Sequence, residues 1–93
     1  MTCRAKTVVN RIEKNFPNIS GAEVRDPRCV FLGDVAEGGE IDGTPACDYY
    51  AYDFDPQEKI YILGVHKELR KVVEDAGWFV ECHDAGTYFA YPA

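Results

Sequence analysis

The chain has 93 residues, of which 46% are hydrophobic and 13% aromatic, and it carries a formal net charge of -6. These values predict one folded domain over residues 1–93, and the acidic balance disfavours direct nucleic-acid binding and a polybasic membrane-surface protein. No apolar run reaches about 18 residues and the first residues lack the apolar core of a signal peptide, so we expect a cytoplasmic protein with no membrane span.

Near the N-terminus the apolar residues have helical spacing. They are Ala5, Val8, Val9, Ile12 and Phe16. This pattern predicts a first helix, with Thr2 as its N-cap and Pro17 as the residue that ends it.

The middle of the chain shows strand and loop signals. Residues 22–33 predict a strand, best supported at residues 29–32, and Pro27 indicates an edge or a bend. Residues 33–47 are rich in glycine and predict a long irregular loop. Residues 48–54 carry aromatic side chains at alternate positions, which is typical of a strand.

After residue 54 a turn is predicted at residues 55–58, and the apolar run 60–63 indicates the return strand of a hairpin. A second helix follows, because Leu69, Val72, Val73 and Ala76 share one helical face. Gly77 is placed to end it as a left-handed C-cap residue.

The last segment predicts a β-hairpin. Residues 78–83 alternate as a strand does, residues 84–86 have turn chemistry, and residues 87–91 are β-branched and aromatic. Trp78 directly follows the helix stop, so we expect it to anchor the core. The predicted order is αβββαββ or αββαββ, an α+β fold in which two helices pack on one face of a small antiparallel sheet.

Charge is distributed unevenly, with eight acidic and no basic residues between residues 34 and 58. The acidic residues are Asp34, Glu37, Glu40, Asp42, Asp48, Asp53, Asp55 and Glu58, and the tyrosines among them are Tyr49, Tyr50 and Tyr52. We assign these eleven residues as the candidate partner-binding site.

Three interpretations of this acidic block remain open. It can be a solvated face that keeps the protein soluble, or a surface that mimics nucleic-acid phosphate and binds a basic protein. It can also be a cation site, because oxygen ligands lie close together in sequence, although the spacing does not match an EF-hand.

Catalytic chemistry is not indicated. Cys82 and His83 are adjacent in a predicted strand and so point to opposite faces, which prevents them from pairing. The four cysteines are Cys3, Cys29, Cys47 and Cys82. Their spacing suits neither a zinc site nor a close disulfide framework, and we expect reduced thiols. We predict no enzymatic activity, no catalytic residue, no metal ligand and no cofactor.

One resemblance covers residues 47–92. It is carried by the segments Asp48-Tyr49-Tyr50, His66-Lys67-Glu68-Leu69, Gly77-Trp78-Phe79-Val80-Glu81 and Asp84-Ala85-Gly86-Thr87. In these segments the chain resembles small accessory proteins encoded by bacteriophages and prophages. The resemblance implies a protein that binds and inhibits a host factor, as anti-CRISPR and anti-restriction proteins do, which are often acidic DNA mimics.

The sequence therefore favours a small acidic binding protein. The expected partner is a host protein with a basic, nucleic-acid-binding surface, such as a defence nuclease complex. The alternatives are an α+β accessory protein whose acidity serves solubility, and a metal- or cysteine-dependent activity.

Overall fold

The computed structural model describes residues 2–48 and 60–93. Its main element is a four-stranded antiparallel sheet. The strands are β1 (Ala22–Asp26), β2 (Cys29–Leu32), β7 (Trp78–Asp84) and β8 (Thr87–Pro92), and their order in the sheet is β1-β2-β8-β7. Helices α1 (Ala5–Asn15) and α2 (Lys67–Asp75) pack against each other and against this sheet. The predicted α+β fold is confirmed.

Two hairpins form the sheet, and each follows a helix. The pairing of β2 with β8 joins them, with Val30 opposite Ala90 and Phe31 opposite Phe89. The chain therefore repeats an αββ unit, and each unit contributes one central and one edge strand. This repetition is not visible as sequence similarity, because the matching positions mostly carry different residues.

The core lies between the helices and one face of the sheet. Alternate strand residues supply it, including Val30, Leu32 and Tyr88, which are fully buried. On the helices, Ile12 and Leu69 are buried from the opposite side. Both described helices pack on this face, so the other face of the sheet has no helix layer within residues 2–48 and 60–93.

Helix α1 begins later than the sequence predicts. Its N-cap is Arg4, without a side-chain capping bond, so the assignment of Thr2 is wrong. The cause is tertiary, because Cys3 N–H donates to Ala76 O at 2.8 Å and Cys3 O accepts from the Trp78 indole at 2.8 Å. These bonds hold the first residues in an extended path beside β7.

The single strand predicted over residues 22–33 is instead the hairpin β1–β2. Pro27 and Arg28 form the turn, and Asp26 Oδ1 accepts from Arg28 N–H at 2.7 Å. Pro27 has no N–H to donate to a ladder, so the strand breaks there. The better supported part, residues 29–32, is confirmed as β2.

The segment 33–47 is ordered and contributes to the core, so its prediction as an irregular loop is wrong. It contains the short strands β3 (Glu40–Ile41) and β4 (Thr44–Pro45). Val35 and Ala46 are fully buried. Asp42 and Gly43 both have positive φ, at 51° and 80°, as the turn of a two-residue hairpin requires. An Asp-Gly pair is the sequence signal for this turn.

The run at residues 60–63 supplies β5 (Tyr61–Ile62), which pairs with β6 (Val65–His66) across a tight turn. Its predicted partner strand at residues 48–54 and the predicted turn at 55–58 lie mainly outside the described residues.

Helix α2 ends before Gly77, which has φ 82°, and Trp78 is 2% exposed. The predicted helix stop, terminal hairpin and core position of Trp78 are confirmed.

Candidate protein-binding surface

The carboxylate of Asp34 is engaged within the fold. Its oxygens accept from Ser20 N–H at 2.8 Å and from the Ser20 hydroxyl at 3.0 Å. Its carbonyl oxygen accepts from the N–H groups of Glu37 and Gly39. These bonds connect the end of the α1–β1 linker to the segment after β2, which gives Asp34 a structural role.

Glu37 lies within the segment 33–47 that follows β2, and Asp48 comes directly after this segment. Glu37 is exposed, and a carboxylate oxygen lies beside Gly86 in the β7–β8 turn, where an added Cβ would meet it. Asp48 is half-buried, and its N–H donates to Gly64 O at 2.8 Å. The other candidate site residues lie outside the described part of the chain. They are Tyr49, Tyr50, Tyr52, Asp53, Asp55 and Glu58.

Glu40, Asp42 and Glu68 form what we call the acidic patch. Glu40 and Asp42 belong to the β3–β4 hairpin, Glu68 lies in the first turn of α2, and all three are exposed. They line one surface depression together with residues 15–18 and Ile41. None of the three carboxylates forms an ion pair with another described residue.

Glu68 was not among the site residues assigned from the sequence. It lies outside the acidic block, between the basic residues Lys67 and Arg70, so local composition gave no signal for it. The fold brings it to the β3–β4 hairpin because His66, the residue before α2, donates its N–H to Ala46 O directly after β4. The N-terminal turn of a helix also stabilises a carboxylate through the helix dipole.

His66 connects the patch to the core. It is the N-cap of α2, where its Nδ1 accepts from Glu68 N–H at 3.1 Å, and its side chain is 5% exposed. Burial lowers the pKa of His66 below its ordinary value of 6.5, and it outweighs the carboxylates of Glu68 and Asp42, which raise it. The helix start therefore depends on a neutral imidazole.

Stability is expected to fall as the pH drops below the ordinary histidine pKa. The pKa of His66 is lower in the folded chain than in the unfolded chain. Its contribution to the free energy of unfolding is therefore complete above about pH 6.5 and is lost as the pH falls through the folded-state pKa. Protonation of Nδ1 also removes the acceptor for Glu68 N–H. Urea midpoints at about pH 7.5 and about pH 5.5 measure this loss.

The control is His66→Asn, because asparagine caps a helix and does not titrate. We expect a smaller drop of the urea midpoint between the two pH values in this variant than in the parent. If both proteins lose the same stability, titratable groups other than His66 cause the pH dependence.

The possible catalytic and metal-binding sets do not assemble among the described residues. Cys82 and His83 point to opposite faces as predicted: the Cys82 thiol packs against the core, and His83 Nε2 lies 2.8 Å from the Tyr91 hydroxyl on the other face. All four cysteines are free thiols, and burial raises the pKa of Cys47. No group of three potential metal ligands occurs within residues 2–48 and 60–93.

No helix in the described ranges is long and apolar enough to cross a membrane. Comparison with known proteins finds no matching family model, no matching curated protein and no matching solved structure.

Proposed function

We propose that this chain is a non-enzymatic binding protein that docks its acidic patch on a basic, nucleic-acid-binding surface of a host protein and occludes it. Such an activity is that of a phage-type inhibitor of a defence nuclease complex. The supporting observation is the patch itself, where three exposed carboxylates from two elements line one depression without an ion-pair partner among the described residues.

Electrostatics explain how such a patch would work. An exposed carboxylate with no cation from its own chain presents its full charge to an approaching protein. Complementary potentials speed the encounter and orient the two proteins, and like charges on a wrong partner are repelled. The patch lies on a short hairpin and a helix end, and both are connected to the core through backbone hydrogen bonds at Ala46 and His66. Such a preorganised surface loses little conformational entropy on binding.

The test uses a patch variant, Glu40→Gln/Asp42→Asn/Glu68→Gln. Asparagine suits the positive φ of Asp42, and glutamine at residue 68 avoids placing a cation at the start of α2. Nuclease-treated bacterial lysate is passed over the immobilised parent and the immobilised variant, and bound proteins are quantified by mass spectrometry. We expect a nucleic-acid-binding protein on the parent, with about tenfold weaker affinity for the variant, since three exposed pairs contribute about 0.5 kcal/mol each.

The matched control removes three carboxylates elsewhere, with the substitutions Glu13→Gln, Glu74→Gln and Asp75→Asn. It has the same net charge as the patch variant and should capture the partner as the parent does. The purified partner should then release labelled duplex DNA when the parent chain is added. If the patch variant captures the partner as well as the control does, the acidic residues serve solubility, as the alternative interpretation states.

A further inference from the structure

The face of the sheet that α1 and α2 do not cover carries a continuous group of rings, which we call the aromatic face. Its members are Phe31, Phe79, His83, Phe89 and Tyr91. Ring centroids lie 5.5 Å apart for Phe31 and Phe89, 4.5 Å for His83 and Phe89, and 5.9 Å for Phe79 and Tyr91. Phe79 is 38% exposed. Phe31, Phe89 and Tyr91 are half-buried. The outer face of an antiparallel sheet is normally polar, so adjacent rings that remain partly exposed there form a candidate interaction surface.

Carboxylates flank these rings on both edges of the sheet. In one row across the strands, Glu23 lies opposite Phe31, Phe31 opposite Phe89, and Phe89 opposite Glu81. Each half of the fold thus presents a phenyl ring on a central strand and a glutamate on the neighbouring edge strand. The face of an aromatic ring is itself electron-rich, so rings and carboxylates together attract cations.

The strand pair β1–β2 shows which cation fits beside a ring and a flanking carboxylate. The guanidinium carbon of Arg25 lies 4.7 Å from the centroid of Phe31, and Arg25 Nε lies 2.8 Å from a Glu23 carboxylate oxygen. One guanidinium therefore stacks on the ring and pairs with the flanking carboxylate at the same time. A guanidinium suits this arrangement because it is planar, weakly hydrated and able to stack.

In the second half His83, two residues after Glu81 as Arg25 is after Glu23, takes the place of the guanidinium over the ring of Phe89. Glu81 forms no ion pair with a described residue, and the neighbouring rings of Phe79 and Tyr91 border a depression that reaches Asp26 and Arg28. His83 lies over Phe89 but bonds to the Tyr91 hydroxyl. The next row of rings, Phe79 and Tyr91, has no guanidinium of a described residue stacked on it, and Glu81, two residues from Phe79 on the same face, lies beside it without an ion pair to a described residue.

We propose that the aromatic face binds an arginine-bearing segment of a partner protein, with a guanidinium stacked on Phe79 and Tyr91 and paired with Glu81. Charge complementarity favours this occupant over nucleic acid, because Glu81, which has no ion-pair partner among the described residues, and the chain's net charge of -6 both repel phosphate. This proposal and the proposed function have one feature in common, which is that both expect a positively charged partner. They depend on different residues, so either can fail while the other holds.

The test compares two probes of equal charge, a hexa-arginine and a hexalysine peptide, in NMR titrations of the whole chain. Both peptides are attracted to the acidic patch, and arginine also pairs bidentately with carboxylates, so the stacking contribution is the part of the arginine preference that depends on the Phe79 ring. We expect hexa-arginine to bind about two- to fivefold more tightly, with shifts at Phe79, Glu81 and Tyr91. Phe79→Leu keeps apolar bulk without a π face and should reduce this preference, and Phe79→Tyr should keep it. Ile62→Ala, at an exposed apolar position elsewhere, should leave both affinities unchanged.

Three results would overturn the proposal. Equal affinities for the two peptides would leave no role for the rings. A short oligothymidylate that binds more tightly than hexa-arginine and shifts the same resonances would assign the face to single-stranded nucleic acid. A chain that sediments as a dimer without peptide, through contacts that Phe79→Asp abolishes, would assign it to a second copy. The patch variant should weaken both peptides equally, which separates this test from that of the proposed function.

Discussion

Replacing Trp78 with alanine is expected to destabilise the protein by about 3–5 kcal/mol. The indole is 2% exposed and lies in the core beside α2. Its Nε1–H donates to Cys3 O at 2.8 Å, a contact between residues 75 positions apart in the chain. The substitution therefore leaves a cavity and also removes one of the two hydrogen bonds that hold the N-terminal segment before α1.

Two variants separate these contributions. Trp78→Phe keeps most of the ring volume and loses the bond to Cys3, so it should cost less than alanine. Trp78→Ala removes the sole tryptophan, so unfolding in urea is followed by circular dichroism in all three proteins. A native fluorescence maximum typical of a fully exposed indole, or a cost below about 1 kcal/mol for alanine, would contradict the burial of this side chain.

Gly33→Ala is expected to cost about 2–5 kcal/mol, combining about 1–2 kcal/mol for a left-handed residue with about 1–3 kcal/mol for overpacking. Gly33 has φ 73°, and a Cβ there would overlap Ser20 O and lie 2.7 Å from Ala22 N. Both atoms belong to the backbone at the start of β1, so the overlap cannot be relieved by rotating a side chain. The substitution would push apart the two chain segments that Asp34 and Ser20 hold together.

The matched control is Gly43→Ala in the β3–β4 turn. Gly43 has φ 80°, but no atom lies within 4 Å of its added Cβ. Gly43→Ala should therefore lower the free energy of unfolding only by the cost of a left-handed alanine, about 1–2 kcal/mol. Urea unfolding of both variants, followed by Trp78 fluorescence, measures the difference. Equal costs would show that close backbone packing at Gly33 does not contribute to stability.

The elements predicted most accurately are those specified by neighbouring residues. Helix α2 follows from the apolar spacing of Leu69, Val73 and Ala76, and its end follows from Gly77. The β7–β8 hairpin follows from alternation and from turn residues between the strands. Each signal spans fewer than about ten residues, which is the range over which backbone propensity and capping act.

The acidic site could be predicted only in part. A run of carboxylates is visible in the sequence, and Glu40 and Asp42 belong to it. The sequence does not show that Asp34 would be engaged by Ser20 or that Glu68 would join the patch. Whether a carboxylate is exposed or hydrogen-bonded depends on chain segments that lie far away in sequence.

The amino-acid sequence by itself determined the α+β class, the second helix, the terminal hairpin and the buried position of Trp78. The tertiary structure decided the strand order β1-β2-β8-β7, the start of α1 and the assembly of the aromatic face. Alternation assigns Phe31 and Phe89 each to one side of its own strand, but only the pairing of β2 with β8 makes them neighbours. Local patterns record torsional preference and polarity, whereas contacts between distant residues depend on how whole elements bury their apolar faces against each other.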